Sequence, residues 1–109
     1  MASDPGLADL LREDLAQAGP VAEPRMFGTL CFMIHGNIVC GAMDDGGLFR
    51  VGRAAEDAAR ALPGVRPMAP KGRPMAGFVT AGRETMADDD LCGRLLGLAL
   101  AFAATLPPK

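Results

Sequence analysis

Residues 25–41, RMFGTLCFMIHGNIVCG, bring together the side chains of this chain that could bind a soft metal or do redox chemistry. They include Cys31, Met33, Cys40 and His35, which is the only histidine. Thiolate, thioether and imidazole groups are ligands that copper and zinc accept, and two neighbouring cysteines could form a redox pair. The alternative is that these residues are the apolar filling of a β-hairpin.

The expected geometry of the hairpin favours the structural alternative. Gly36-Asn37 predicts a type II′ turn, which places Met33 opposite Cys40. Cys31 and Cys40 are then diagonal neighbours, roughly 7–8 Å apart, which is too far for a good disulfide. Zinc sites generally use closely spaced ligand pairs such as C-x-x-C, and the chain has none. We therefore expect buried free thiols and thioethers, with no metal and no cofactor.

The same register predicts that both faces of the hairpin are apolar. A sheet with one solvated face would show polar residues at alternate positions. We therefore expect helices to cover one face and a second subunit to cover the other, giving a possible homodimer. The residues predicted to share the first face are Cys31, Met33, His35, Ile38, Cys40 and Ala42.

Composition argues against several functional classes. The only serine is Ser3, there is no tyrosine, and no motif of a nucleophilic, zinc-dependent or dinucleotide-binding enzyme is present. We therefore expect no catalytic residue. A net charge of −2 without tryptophan or tyrosine disfavours direct nucleic-acid binding. The longest apolar run, residues 95–104, is too short to span a bilayer, and no signal peptide is visible, so we expect a cytoplasmic protein.

Charge is segregated along the chain. Between Arg60 and Arg83 there is no acidic residue, whereas the chain as a whole is acidic. Lys71 and Arg73 lie there in a Gly/Pro loop, APKGRPMAG, and Arg25 and Arg50 could join the same patch. Such a loop can bind phosphate or carboxylate through its side chains and backbone N–H groups. The alternative is an ordinary solvated loop. The basic residues of this window are Arg60, Arg66, Lys71, Arg73 and Arg83.

Hydrophobic periodicity and turn signals predict the element order α-β-β-β-α-β-β-α, a two-layer α+β fold in one domain of residues 1–109. Helices are predicted in segments 3–19, 53–62 and 87–106, the last one capped by its Asp88–Asp90 run. Strands are predicted at 29–35, 38–43, 48–51, 65–68 and 78–81. In the last helix, Gly93, Gly97 and Ala101 form a small-residue stripe that we expect to pack closely on the sheet, with a dimer seam as the alternative.

Several short motifs, in order over nearly the whole chain, resemble the N-terminal domain of the bacterial TfoX/Sxy family. They are Arg25-Met26-Phe27-Gly28, Arg50-Val51-Gly52, and Gly72-Arg73-Pro74-Met75 with Gly77-Phe78. Thr29 departs from the family pattern, which usually has a second glycine there. Founding members also carry a second, helical domain, whereas this chain reaches only Lys109.

The resemblance implies a fold similar to secretion chaperones, with a five-stranded antiparallel sheet and no enzyme activity. It also implies a competence regulator-like role, exercised through protein partners in the cytoplasm. An anion-binding or small-molecule-binding module using Lys71 and Arg73 is the alternative. The candidate binding residues are Arg25, Phe27, Gly28, Arg50, Lys71, Arg73 and Met75.

Overall fold

The computed structural model describes residues 5–16, 21–26, 29–43, 46–68 and 75–107. These residues form four helices and seven strand segments. The helices are α1 (Pro5–Leu15), α2 (Arg53–Arg60), α3 (Arg83–Ala87) and α4 (Asp89–Ala103). The strands are β1 (Val21–Ala22), β2 (Arg25–Met26), β3 (Thr29–Ile34), β4 (Asn37–Ala42), β5 (Gly46–Arg50), β6 (Val65–Pro67) and β7 (Phe78–Gly82). The predicted α+β class is confirmed.

The strands form one antiparallel sheet in the order β1-β3-β4-β5-β7-β6, and β2 also pairs with β3. β1 and β2 pair with β3 in the same register, so they act as one edge strand interrupted at Pro24. Cys31 N donates to Pro24 O at 2.9 Å, but proline has no N–H to return the ladder bond. The sheet therefore has six strand positions, one more than predicted.

All four helices contribute to a single hydrophobic core on one face of the sheet. Leu11 and Leu15 come from α1, Ala59 from α2 and Met86 from α3. The largest helical share comes from α4, which supplies Cys92, Leu95, Leu96 and Ala99. The sheet contributes alternate residues of its strands, led by Phe32 and Phe49, which are fully buried.

The predicted turn of the central hairpin is wrong by one residue. The turn is His35–Gly36, with φ of 53° and 80°, and Ile34 pairs with Asn37. Positive φ at both turn positions is the type I′ pattern, whose twist matches the flanking strands. Asn37 joins β4 because it is only 3% exposed and its Nδ2 donates to Pro107 O at 3.0 Å.

The predicted assignment of residues to the two faces is also wrong, because the hairpin contains a bulge. Phe32 pairs with Cys40 while Met33 pairs with Ile38, so Val39 is an extra residue on β4. An inserted residue shifts the alternation of the strand that follows. Cys40 and Ala42 consequently lie in the core beside Phe32 rather than on the face of Cys31.

The second face carries a row of paired residues across five strands. Cys31 pairs with Gly41, Gly41 with Leu48, Leu48 with Thr80, and Thr80 with Arg66. Cys31 and Leu48 are buried yet do not belong to the helix-covered core. The row changes from apolar to basic towards β6. The second subunit expected on this face stays a prediction.

The small-residue stripe of α4 does not pack on the sheet as predicted. Gly93, Gly97 and Ala101 are exposed, and a Cβ added at either glycine would meet no atom within 4 Å. The helix instead turns its larger apolar residues to the core. Its predicted cap is confirmed at Asp88, whose carboxylate accepts from Asp90 N at 3.0 Å and Leu91 N at 3.1 Å. No described helix has the length and apolar character needed to cross a membrane.

A bidentate ion pair ties α1 to the interrupted edge strand. Arg12 donates from Nε to Glu23 Oε2 at 2.8 Å and from Nη2 to Oε1 at 2.6 Å, and its guanidinium lies 5.9 Å from the Phe32 ring centre. The hydrogen bonds from Arg12 lower the pKa of Glu23 below its ordinary value of 4.5. The pair is therefore intact at neutral pH.

Replacing Arg12 with glutamine is expected to raise the pKa of Glu23 towards 4.5, measured by NMR titration of its carboxyl carbon. A lowered folded-state pKa contributes stability above the unfolded pKa, and this contribution is lost as pH falls through the folded value. The stability difference between wild type and Arg12→Gln should therefore shrink in acid. Arg94→Gln, which removes an exposed pair with Asp90, is the control and should leave the Glu23 titration unchanged.

Candidate functional site

Three of the seven candidate residues predicted from the sequence lie in the described part of the chain. Arg25 lies in β2, Arg50 ends β5, and Met75 precedes β7. The remaining candidates, Phe27, Gly28, Lys71 and Arg73, lie outside the described residues. The structure therefore gives the positions of Arg25, Arg50 and Met75.

Arg25 does not share a surface patch with Arg50. It is exposed on the edge strand, and β3 and β4 separate this strand from β5. Three strand spacings amount to roughly 14 Å across the sheet. Arg50 and Met75, by contrast, belong to one corner of the fold, where β5 leads into α2.

Backbone hydrogen bonds join the Arg50-Val51-Gly52 motif to the Gly77-Phe78 motif. Gly77 O accepts from Val51 N at 2.8 Å and from Gly52 N at 3.0 Å. Gly77 N donates to Glu56 Oε1 at 2.6 Å, so the first turns of α2 also hold this loop. Two motifs separated along the sequence thus form one structural junction.

The two glycines of this junction are required by its geometry. Gly52 has φ of 84° and Gly77 has φ of 86°, values that residues with a side chain rarely adopt. A Cβ on Gly52 would overlap the Phe102 ring, lying 2.7 Å from its Cε1, and one on Gly77 would lie 3.3 Å from the Cα of Gly52. The motif glycines therefore allow the backbone of β5 to approach both α4 and the loop before β7.

Arg50 stacks on two aromatic rings at this corner. Its guanidinium carbon lies 5.7 Å from the ring centre of Phe78 and 5.3 Å from that of Phe102. Cation–π contacts of this kind hold the side chain in place, and an arginine so placed can still donate its N–H groups to a carboxylate. No carboxylate of the described residues forms an ion pair with Arg50.

Met75 is an exposed apolar residue whose backbone is bonded to that of Phe78, one of the two rings of this stack. It is 40% exposed and is the only exposed large hydrophobic residue among those whose burial the structure describes. Its backbone is fixed, since Met75 N donates to Met68 O at 2.7 Å and Met75 O accepts from Phe78 N at 3.2 Å. We call the surface formed by Arg50, Met75, Phe78 and Phe102 the Arg50 corner.

Phe102 belongs to this corner although the sequence did not indicate it. The residue lies in the apolar run of the last helix, where any of several side chains could have faced the sheet. The only sequence signal was indirect: Gly52 precedes a helix as a glycine rather than a capping serine or aspartate.

The three cysteine side chains are buried thiols: Cys31, Cys40 and Cys92. Burial raises the pKa of the Cys31 thiol. A buried, protonated thiol is a poor nucleophile and a poor metal ligand. Among the described residues, no group of three or more His, Cys, Asp or Glu side chains could hold a metal ion.

The fold and the motif junction define a two-layer α+β domain in which the motif residues build one corner. The protein-family model described as the TfoX N-terminal domain matches residues 13–103. The chain therefore belongs to the TfoX N-terminal domain family, as its motifs predicted. Neither a curated protein nor a solved structure matches the chain.

Proposed function

We propose that this chain is a non-enzymatic regulatory domain that acts in the cytoplasm by binding a protein partner, in the control of competence genes. Membership of the TfoX N-terminal domain family supports a regulatory role of this type. The observation that carries the proposal is the Arg50 corner: an arginine without an ion pair to a described carboxylate contacts the Phe78 ring, and the backbone of Phe78 is bonded to exposed Met75.

The chemistry of this corner is that of a protein-binding hot spot. Arginine, methionine and aromatic residues are enriched at interfaces relative to the rest of the surface. Arg50, Phe78 and Phe102 are each half-buried, so they are already ordered before a partner arrives. Pre-ordered side chains lose little conformational entropy on binding, which favours affinity.

The N–H donors of Arg50, which no carboxylate of the described residues occupies, define the partner segment. A guanidinium held by ring contacts offers a planar pair of N–H groups that matches a carboxylate. Met75, which is bonded through its backbone to Phe78, adds an adaptable apolar surface to the same corner. The partner is therefore a protein segment with an acidic side chain next to an apolar one, supplied by another protein or by a second copy of this chain.

The edges of the sheet favour side-chain recognition at the corner over strand addition. On the β6 edge, Pro67 has no N–H, and Val65 N already donates to Leu62 O at 3.3 Å. The opposite edge carries the charged residues Glu23 and Arg25. Charges and prolines at sheet edges oppose pairing with another strand.

Replacing Met75 with glutamate is expected to abolish partner binding, because it sets a second carboxylate against the acidic segment. Arg50→Gln should weaken binding by about tenfold through loss of a charge-assisted contact. Affinity is measured by fluorescence anisotropy against an array of acidic-apolar peptides, and light scattering reports self-association. Arg94→Gln, an exposed arginine on α4, is the matched control and should bind as wild type does.

Gene expression tests the regulatory part of the proposal. Cells lacking the gene should show altered transcripts of DNA-uptake genes. Wild type and Arg94→Gln should restore these transcripts, whereas Met75→Glu should not. Restoration by Met75→Glu, or a complex with DNA at low salt that survives this substitution, would count against a protein-partnered mechanism.

A further inference from the structure

A cleft of about 670 Å³ lies at the end of the sheet remote from the Arg50 corner. Arg50 pairs with Phe78 at one end of the β5–β7 ladder, and Gly46 pairs with Gly82 at the other. The four residue steps from Phe78 to Gly82 correspond to roughly 13 Å along an extended strand. The cleft is thus a separate surface, and its size falls in the range of small-molecule sites.

The cleft has a glycine-rich floor that leaves room for a ligand. Gly46, Gly64 and Gly82 line it, so backbone rather than side chain forms the surface at these three positions. A Cβ on Gly46 would overlap Ala81 O, and one on Gly64 would overlap Thr85 Oγ1. Gly46 and Gly64 therefore allow close packing against Ala81 and Thr85, whereas a Cβ on Gly82 would meet nothing within 4 Å.

Among the described residues, the charged side chains that line the cleft are mainly basic. Arg66 and Arg83 line it with one acidic residue among the described ones, Glu84. Both arginines are exposed, and Arg66 forms no ion pair with a carboxylate of the described residues. Both belong to residues 60–83, which contain no acidic side chain although the chain carries a net charge of −2.

We infer that this cleft binds a small oxyanion, a carboxylate or a phosphate, that carries a short apolar group. The Arg66 guanidinium suits both anions because its N–H donors match two oxygens at once. Thr80 pairs with Arg66 across the sheet, lines the cleft and supplies a hydroxyl. Met43, Pro63 and Leu91 form apolar parts of the wall, which gives the uncharged end of the ligand a place to pack.

The test uses three simple anions and a neutral analogue. Inorganic phosphate, butyrate and monobutyl phosphate are titrated into the protein and followed by amide NMR shifts. Butyrate or monobutyl phosphate should shift the amides of Gly64, Arg66, Thr80 and Gly82 in a saturable way, and the tighter of the two identifies the anion. Inorganic phosphate should bind more weakly than monobutyl phosphate, and butyramide should produce no saturable shift.

Substitutions assign the binding to the cleft. Arg66→Gln should weaken binding by about tenfold, since an arginine–oxyanion contact is charge-assisted. Arg94→Gln makes the same charge change on α4 and should leave the affinity unchanged. Unchanged affinity in Arg66→Gln, an equal response to butyramide, or loss of binding only in Lys71→Gln or Arg73→Gln would overturn the inference. Met75→Glu should bind the anion normally, so this test fails or succeeds independently of the proposed partner binding.

Discussion

Replacing Gly52 with alanine is expected to destabilise the protein by about 2–6 kcal/mol, the sum of a backbone and a packing penalty. Gly52 has φ of 84° and ψ of 157°, a region that is essentially restricted to glycine. An added Cβ would also overlap the ring of Phe102, on which Arg50 stacks. The ring cannot move away without disturbing the arginine.

Urea unfolding measures this loss, and two further variants separate its causes. Gly97→Ala is the control, because it lies in α4 with nothing within 4 Å of an added Cβ and should stabilise by about 0.5–1 kcal/mol. Phe102→Ala combined with Gly52→Ala removes the overlap but keeps the backbone penalty. The stability loss of the double variant should therefore be smaller than the sum of the losses of Gly52→Ala and Phe102→Ala alone. A Gly52→Ala protein as stable as wild type would contradict the packing of the corner.

The Gly52 result bears on how the family motifs should be interpreted. Gly52 and Gly77 shape the junction through their backbones, while Arg50 and Met75 present side chains at its surface. A stability loss in Gly52→Ala would show that this glycine is needed for folding. Only the partner-binding loss in Met75→Glu, an exposed position, can then report on function.

Local sequence patterns predicted the elements better than their pairing. The α+β class and the antiparallel strands follow from apolar alternation and glycine-containing turns, which are local signals. The bulge at Val39 leaves no local trace, because an apolar residue fits either face of a doubly buried hairpin. Asn37 joins β4 rather than the turn through its hydrogen bond to Pro107, a contact seventy residues away in sequence.

The edge strand formed by β1 and β2 is a second feature that local sequence signals do not predict. Glu23-Pro24 interrupts it, and a proline within a short run argues against a strand, so local signals predict no strand in residues 21–26. Their pairing depends on β3, whose register extends across the interruption. Short edge strands with poor local signals form because a neighbouring strand offers a template.

The candidate site was predictable only in part. Arg50 and Met75 were identified through motif resemblance, which marks residues without saying how they meet. Phe102, which completes the stack, comes from a helix that begins nearly forty residues after Arg50. Arg66 was noticed as part of a basic window, but the cleft it lines depends on the folding of β6 beside β7 and α3.

Replacing Gly46 with alanine is expected to cost at least about 3 kcal/mol, because overpacking against backbone leaves little room for relaxation. A Cβ at Gly46 would overlap Ala81 O and lie 3.2 Å from the Cα of Gly82. This carbonyl belongs to β7, the strand paired with both β5 and β6. Relief of the overlap would therefore have to distort two ladders at once.

Gly82→Ala is the matched control, since Gly82 pairs directly with Gly46 across the same ladder. Its φ of −72° suits any residue, and an added Cβ would meet nothing within 4 Å. The free energy of unfolding measured with urea should therefore change by no more than about 0.5 kcal/mol. Both substitutions remove the same backbone freedom from the unfolded chain. A large difference between them must therefore come from the space beside Ala81 O, and equal losses would contradict the register of β5 against β7.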